Sequence, residues 1–348
     1  MKTDRALLLV GVLLLLLCGC GPRTSKNAAS SGPGGSKASG EAASGTRGSR
    51  TSDEAAPRTR TFPTPQPPSV YDETQERVTW LQMHYWDLFL STKELWPSDS
   101  TMVNGVPEDK FEESFATFVY LTEMTDIPSG RQAIDRLFTL TEAYQKADSS
   151  STVFARMAET AEKYYYEPNS PYRNEDLYLA YIERLAASDL TPASRRKALE
   201  FDIRLCSLNP VGSPAADFRF TDIRGRTRAL YDIKADCTLL FFSNPGCEAC
   251  KEIIENLNAS EKVARLIAEK KLAVVNVYID EDLDEWRSYQ DYYPDSWYNG
   301  YDPDFVIRTD LLYSVRAIPS LYMLDSGKRV IMKDATPENV FAFIDNLE

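Results

Sequence analysis

Histidine is nearly absent from this 348-residue chain, where His84 stands alone. One imidazole makes no His-based metal site, and His84 has no catalytic company beyond Asp87, three residues on and on the same helical face, a common structural arrangement. Cysteine is scarce too: of six, Cys18 and Cys20 lie near the N-terminus, leaving Cys206, Cys237, Cys247 and Cys250. Zinc wants about four thiolate or imidazole ligands, usually as two paired motifs; only one pair exists here, so no metal and no cofactor is assigned. Basic charge is short, with 39 Lys and Arg against 52 Asp and Glu and a net charge of -13. Residues 1–60 hold nine basic against four acidic side chains and the remainder thirty against forty-eight, so the folded part is strongly acidic. Without a basic face, nucleic acid is excluded as a partner. Long apolar runs are missing as well, since the stretch Ala6 to Leu17 falls short of the roughly 20 residues that cross a bilayer.

What the N-terminus does carry is Lys2 and Arg5, that short apolar run, and then Leu17-Cys18-Gly19-Cys20, the pattern of an export signal over residues 1–20. Its ending resembles a bacterial lipobox, which implies lipidation of Cys20, the cysteine that follows a small residue; Cys18, after Leu17, matches less well. An ordinary cleaved signal with incidental cysteines is the alternative, and both readings export the chain. Residues 21–68 are dense in Ser, Gly, Ala, Pro and Thr and read as a flexible tether, because they offer too little apolar surface to offset the cost of ordering. The expected location is the cell envelope, lipid-anchored and facing the periplasm.

Beyond the tether the chain is long enough for two domains, and the pattern changes between them. Over residues 69–209 apolar side chains recur at three and four. The spacing predicts helices over Thr74–Leu90, Glu108–Thr125, Ser129–Lys146, Ser151–Tyr166, Glu175–Ala187 and Thr191–Leu208, an all-α domain. The aromatics of Trp80–Phe89 and Tyr164–Tyr166 are assigned to its core. Asn169-Ser-Pro-Tyr-Arg-Asn-Glu175 reads as a turn with a capped helix start.

Residues 210–348 alternate short strands with helices, an α/β pattern with a central sheet flanked by helices. Strands are predicted at Phe218–Thr221, Cys237–Ser243, Leu272–Tyr278, Ser320–Leu324 and Arg329–Met332, with turns at Gly225 and Asp325-Ser-Gly327. Helices are predicted at Lys251–Lys270 and Pro337–Leu347, with an aromatic, acidic insert at Glu281–Phe305.

Within this domain Cys247-Glu-Ala-Cys250 stands where an apolar strand feeds a helix. A cysteine in the first helical turn lies at the positive end of the dipole, which favours thiolate, and a second one turn later can close the ring. That spacing suits thiol-disulfide exchange, where one sulfur attacks and another resolves the mixed disulfide. An inert structural disulfide is the alternative. Glu248, inside the pair beside Cys247, and Lys251, just after it, push the first thiol's pKa in opposite directions, Glu248 upward and Lys251 downward. Cys206 and Cys237 read as buried free thiols, with an interdomain bridge as the other option.

The dithiol at a strand-to-helix junction, with Ile318-Pro319 before a later strand, resembles the thioredoxin fold. The preceding strand and Gly turn and the insert between Tyr278 and Tyr313 more closely resemble the TlpA/ResA-like branch of membrane-tethered thiol-disulfide oxidoreductases. The whole mature chain resembles Bacteroidetes lipoproteins with an uncharacterised helical domain in front, through runs such as His-Tyr-Trp-Asp and Asn-Ser-Pro-Tyr-Arg-Asn. The resemblance implies Cys247 as attacking thiolate, Cys250 as resolving thiol, a cis Pro319 as the substrate-docking turn, and Ile318 as the residue whose backbone meets the substrate. It implies exported proteins with disulfides as substrates and a membrane electron donor as partner. Gly246 and Phe241 depart from thioredoxin, whose positions there hold a tryptophan and a buried aspartate. The rival function is a non-catalytic envelope binding or assembly lipoprotein with a structural disulfide on a thioredoxin-like scaffold.

Overall fold

The computed structural model describes residues 58–348. The signal expected over 1–20, lipidation at Cys20 and the tether up to residue 57 lie outside the described residues.

The helical part comprises α1 (Thr74–His84), α2 (Glu108–Glu123), α3 (Ile127–Ala147), α4 (Val153–Tyr165), α5 (Glu175–Ala187) and α6 (Ala193–Cys206). A two-strand hairpin, β1 (Met102–Val103) with β2 (Val106–Pro107), stands before α2. In α3 the buried positions Ala133, Ile134, Leu137, Phe138, Thr141 and Tyr144 recur at three and four. Its start is fixed by Pro128 in the first turn and by Asp126, whose side chain accepts from the Ser129 N–H at 2.8 Å. Tyr85, Trp86 and Phe89, assigned to the core from their spacing, pack there with Phe111, Phe115 and Phe118 as edge-on and tilted rings.

The first helix was expected to reach Leu90 but ends at His84; beyond it the Phe89 carbonyl accepts from Asn104 Nδ2 at 2.5 Å and Arg60 Nη2 at 2.9 Å, side-chain donors in place of the helix's own N–H groups. The tether was expected to run to Pro68, yet residues 58–65 lie on the helical part. Arg60 also donates to the Asn104 carbonyl, Phe62 stacks on Tyr85 and Phe89 at 5.3 and 5.1 Å, and Pro65 is buried. Phe62 is the one large apolar side chain in the expected tether, and its burial anchors the segment.

The second part is one seven-stranded sheet in the order β4-β3-β7-β6-β5-β8-β9. Its strands are β3 (Arg219–Thr221), β4 (Thr227–Ala229), β5 (Cys237–Phe242), β6 (Leu272–Tyr278), β7 (Tyr298–Tyr301), β8 (Ser320–Asp325) and β9 (Val330–Met332). β6 lies parallel to β5 and β7, and the remaining pairings are antiparallel, so the sheet is mixed. β5 is buried on both faces: Leu239 and Phe241 meet the helices α7 (Glu248–Ala259), α8 (Glu261–Ala268) and α11 (Pro337–Asp345), while Leu240 and Phe242 face Phe218, Tyr313 and Tyr322. The helix expected over Lys251–Lys270 is two, because Ser260 ends α7 and its hydroxyl accepts from the Val263 N–H to start α8. The insert supplies α9 (Leu283–Ser288) and the strand β7, neither expected, and α10 (Val306–Thr309) follows it. No helix among the described residues is long and apolar enough to cross a membrane.

Candidate functional site

β5 delivers the dithiol. After Phe242 the chain turns through Ser243-Asn244-Pro245-Gly246, and Gly246 adopts φ +71°, a conformation that costs a side chain strain. Cys247 then occupies the N-cap of α7, where its Sγ accepts from the Cys250 N–H at 3.2 Å. A sulfur in that position feels the aligned N–H groups of the first turn, which stabilise negative charge on it. Cys247 and Cys250 form a disulfide with their Cα atoms 5.2 Å apart. Cys250 is 1% exposed and Cys247 half-buried, so the first sulfur is the one that an incoming group can meet.

Opposite them lies the loop before β8. The Ile318–Pro319 peptide is cis, and the Ile318 carbonyl lies 4.0 Å from Cys247 Sγ. Ile318 and Pro319 are half-buried and Ala317 exposed. Among the described residues no backbone carbonyl accepts from the Ile318 N–H, so the loop presents an open donor beside the sulfur. The four residues singled out from sequence, Cys247, Cys250, Ile318 and Pro319, therefore meet at one place.

Residues 35–205 match the family model described as a domain of unknown function (DUF5106). The crystal structure of a thioredoxin-like protein from Bacteroides caccae ATCC 43185 is 33% identical, with a TM-score of 0.72, and the match covers 83% of this chain and 99% of that one. The chain belongs to the thioredoxin-like proteins. A structure of the C-terminal domain of an uncharacterized protein from Bacteroides fragilis NCTC 9343 is 44% identical over 40% of this chain and 99% of that one, with a TM-score of 0.38. A domain of a possible thiol-disulfide isomerase from Cytophaga hutchinsonii ATCC 33406 is 26% identical over 40% of this chain and 93% of that one, with a TM-score of 0.34. No curated protein matches.

In this thioredoxin-like protein Phe241 is fully buried in the apolar cluster that holds Cys250, so no carboxylate lies at the position of the family's buried aspartate. Around the end of the sheet, the Ser243 hydroxyl donates to Asn276 Oδ1 at 2.5 Å and Asn276 Nδ2 to Asn299 Oδ1 at 3.3 Å, while Asn244 donates to the Asp280 carboxylate. Burial pushes the Tyr293 phenol up to about 12, against the lowering pull of Ser243 and Asn276. The flanking charges are solvated. Glu248 is 77% exposed and Lys251 40%, and Lys251 Nζ stands 4.0 Å from both Glu248 and Glu255, a separation at which water screens the pair.

The remaining sequence candidates fall away from the dithiol. His84 Nδ1 and Asp87 Oδ2 are 2.8 Å apart, and Arg136 holds the same carboxylate through two bonds, a structural cluster on the helical part. Cys206 and Cys237 are buried free thiols with no bridge between them. Residues that sequence reasoning missed include Glu285, whose Oε1 would lie 3.8 Å from a Cβ at Gly246. Its place in an unassigned, acidic insert gave no signal. Also missed is the charge cluster around Glu175, Arg316 and Asp334, of which the sequence singled out only Glu175, at a capped helix start.

Proposed function

We propose that this thioredoxin-like protein is a thiol-disulfide oxidoreductase, working as a reductase on disulfides of other exported proteins and tethered to a membrane by lipid at Cys20. The observation that carries the reading is the Cys247–Cys250 pair at a helix N-terminus, its outer sulfur 4.0 Å from the carbonyl that precedes cis Pro319. The catalytic domain is taken as residues 210–348, with the helical domain at 69–209 in front.

Starting from the reduced pair, the Cys247 thiolate attacks one sulfur of the substrate disulfide. That S–S bond breaks, and the departing thiolate is protonated from water. Cys250 then gives its proton to water and attacks Cys247 Sγ, breaking the mixed disulfide, and the second substrate thiolate leaves and takes a proton from water. Two electrons and two protons have passed to the substrate, and Cys247–Cys250 is left oxidised. A dithiol donor on the membrane side restores the pair. Pro319 lacks an N–H, so the neighbouring Ile318 backbone is what pairs with an extended substrate segment. Glu248, on the first turn of α7, works against the thiolate and hence toward a reducing pair, while the helix terminus and Lys251 work for it.

Two variants separate the roles. Cys250→Ser should accumulate mixed disulfides through Cys247, visible as reductant-sensitive adducts on gels. Cys247→Ser should abolish exchange, and wild-type activity in that variant contradicts the assignment.

A further inference from the structure

The helical domain has no catalytic side chain within the dithiol site, yet it reaches the loop that carries Pro319. Glu175, at the start of α5, is 2% exposed. Its Oε1 accepts from Arg316 Nε at 2.8 Å and from Ser314 Oγ at 2.7 Å, and its Oε2 stands 3.0 Å from Lys333 Nζ. Arg316 continues the chain of contacts: Nη2 donates to Asp334 Oδ2 at 2.8 Å, Nη1 donates to the Tyr166 carbonyl, and the guanidinium lies 4.0 Å from the Tyr166 ring centre. Asp334 in turn accepts from Ser320 Oγ at 3.2 Å through Oδ1. Arg173, two residues before Glu175, donates to the carbonyls of Asp334 and Ala335, both at 2.9 Å. Lys333 closes the cluster on the Cys206 carbonyl at the end of α6, at 2.6 Å.

The segment that faces Cys247 is therefore gripped on both sides. Ser314 and Arg316 are held before it and Ser320 after it, while Ala317, Ile318 and Pro319 between them stay open. Asp334 adopts φ +43°, an uncommon conformation for a residue with a side chain, and does so while buried between two guanidinium groups. A buried ionic cluster costs desolvation and adds little net stability over apolar packing. Its geometric exactness is what it contributes: each charge satisfies another only in one arrangement.

We propose that the helical domain positions the docking loop of the thioredoxin-like domain through Glu175 and Arg316, and that this positioning governs capture of disulfides lying in extended polypeptide. Glu175 and Arg316 are positioning residues, acting on substrate through the Ile318 backbone. The proposal rests on the dithiol-exchange reading. A small disulfide reagent has no backbone to pair with that loop and is indifferent to the cluster.

The test uses the purified full-length protein with two substrates: a peptide closed by one disulfide, and 5,5′-dithiobis(2-nitrobenzoate), which has no peptide group. In Glu175→Gln the peptide KM should rise about tenfold, while the rate with the small reagent stays within about twofold. The equilibrium constant of the pair against a reference dithiol should change by less than about twofold. Ser320→Ala, which removes a single hydrogen bond to Asp334, should raise the peptide KM about threefold and serves as the decisive variant if Glu175→Gln fails to fold. A merely structural role lowers both rates together by loss of folded protein and leaves KM unchanged, and that outcome overturns the proposal. A wild type that exchanges with neither substrate overturns the dithiol reading itself.

Discussion

Arg316→Met removes the guanidinium from between two buried carboxylates while keeping much of the side chain's volume. The Arg316 side chain is 10% exposed, that of Asp334 9% and that of Glu175 1%. Breaking a buried ion pair from one side costs about 3–5 kcal/mol, because the other charge stays desolvated without its partner. Glu175 keeps Ser314 and Lys333, and Asp334 keeps Arg173, which puts the loss at the low end, about 3 kcal/mol at neutral pH. With a urea slope of about 3 kcal/mol/M, the midpoint of unfolding should fall by about 1 M. The deficit should also depend on pH. Burial already raises the Asp334 carboxyl, against the lowering pull of Arg173 and Arg316, and loss of Arg316 raises it further. A carboxyl whose folded pKa lies above its unfolded value favours the fold below the unfolded value and loses that contribution as pH rises through the folded one. The deficit should accordingly shrink between pH 7 and about pH 5. A loss below about 1 kcal/mol, or the same loss at both pH values, refutes the argument that these charges are mutually dependent.

Other consequences are simpler to read. Burial pushes the thiols of Cys206 and Cys237 above the ordinary range, so both should resist iodoacetamide in the native protein and react once it is unfolded. By the same linkage their contribution to stability is complete below the unfolded thiol value and should decline as pH rises past about 8.5, measured as a falling midpoint of thermal unfolding. Phe62→Ala should cost about 1–2 kcal/mol in urea unfolding, since its ring packs on Tyr85, Trp86 and Phe89 while remaining partly exposed. An unchanged midpoint contradicts the anchoring of residues 58–65 by that ring.

Much of the secondary structure was legible because its signals are local. β6 was bounded correctly at Leu272–Tyr278 by an apolar run rich in valine, and α5 at Glu175–Ala187 by its spacing and the Asn174 cap. The dithiol and Ile318-Pro319 were likewise readable, each within a window of a few residues. β7 was not, because its four residues Tyr-Asn-Gly-Tyr set the turn formers Asn and Gly between the two tyrosines. Gly300 is required there by the close approach of β3, since a Cβ would lie 2.7 Å from the Phe220 ring and 2.9 Å from the Thr221 carbonyl oxygen. The cluster of Glu175, Arg316 and Asp334 was illegible for a different reason. Charged residues are ordinarily exposed, and only tertiary packing reveals that partners more than a hundred positions apart are buried together.

Equilibration of the Cys247 and Cys250 pair in defined thiol buffers, followed by the fraction of free thiol, shows whether the pair exchanges electrons with a dithiol and in which direction. Reversible two-electron behaviour is expected, with a midpoint of about -270 mV, the region of a reducing dithiol. A midpoint near about -120 mV contradicts the reductase direction, and a disulfide that never equilibrates contradicts the proposed activity as a whole.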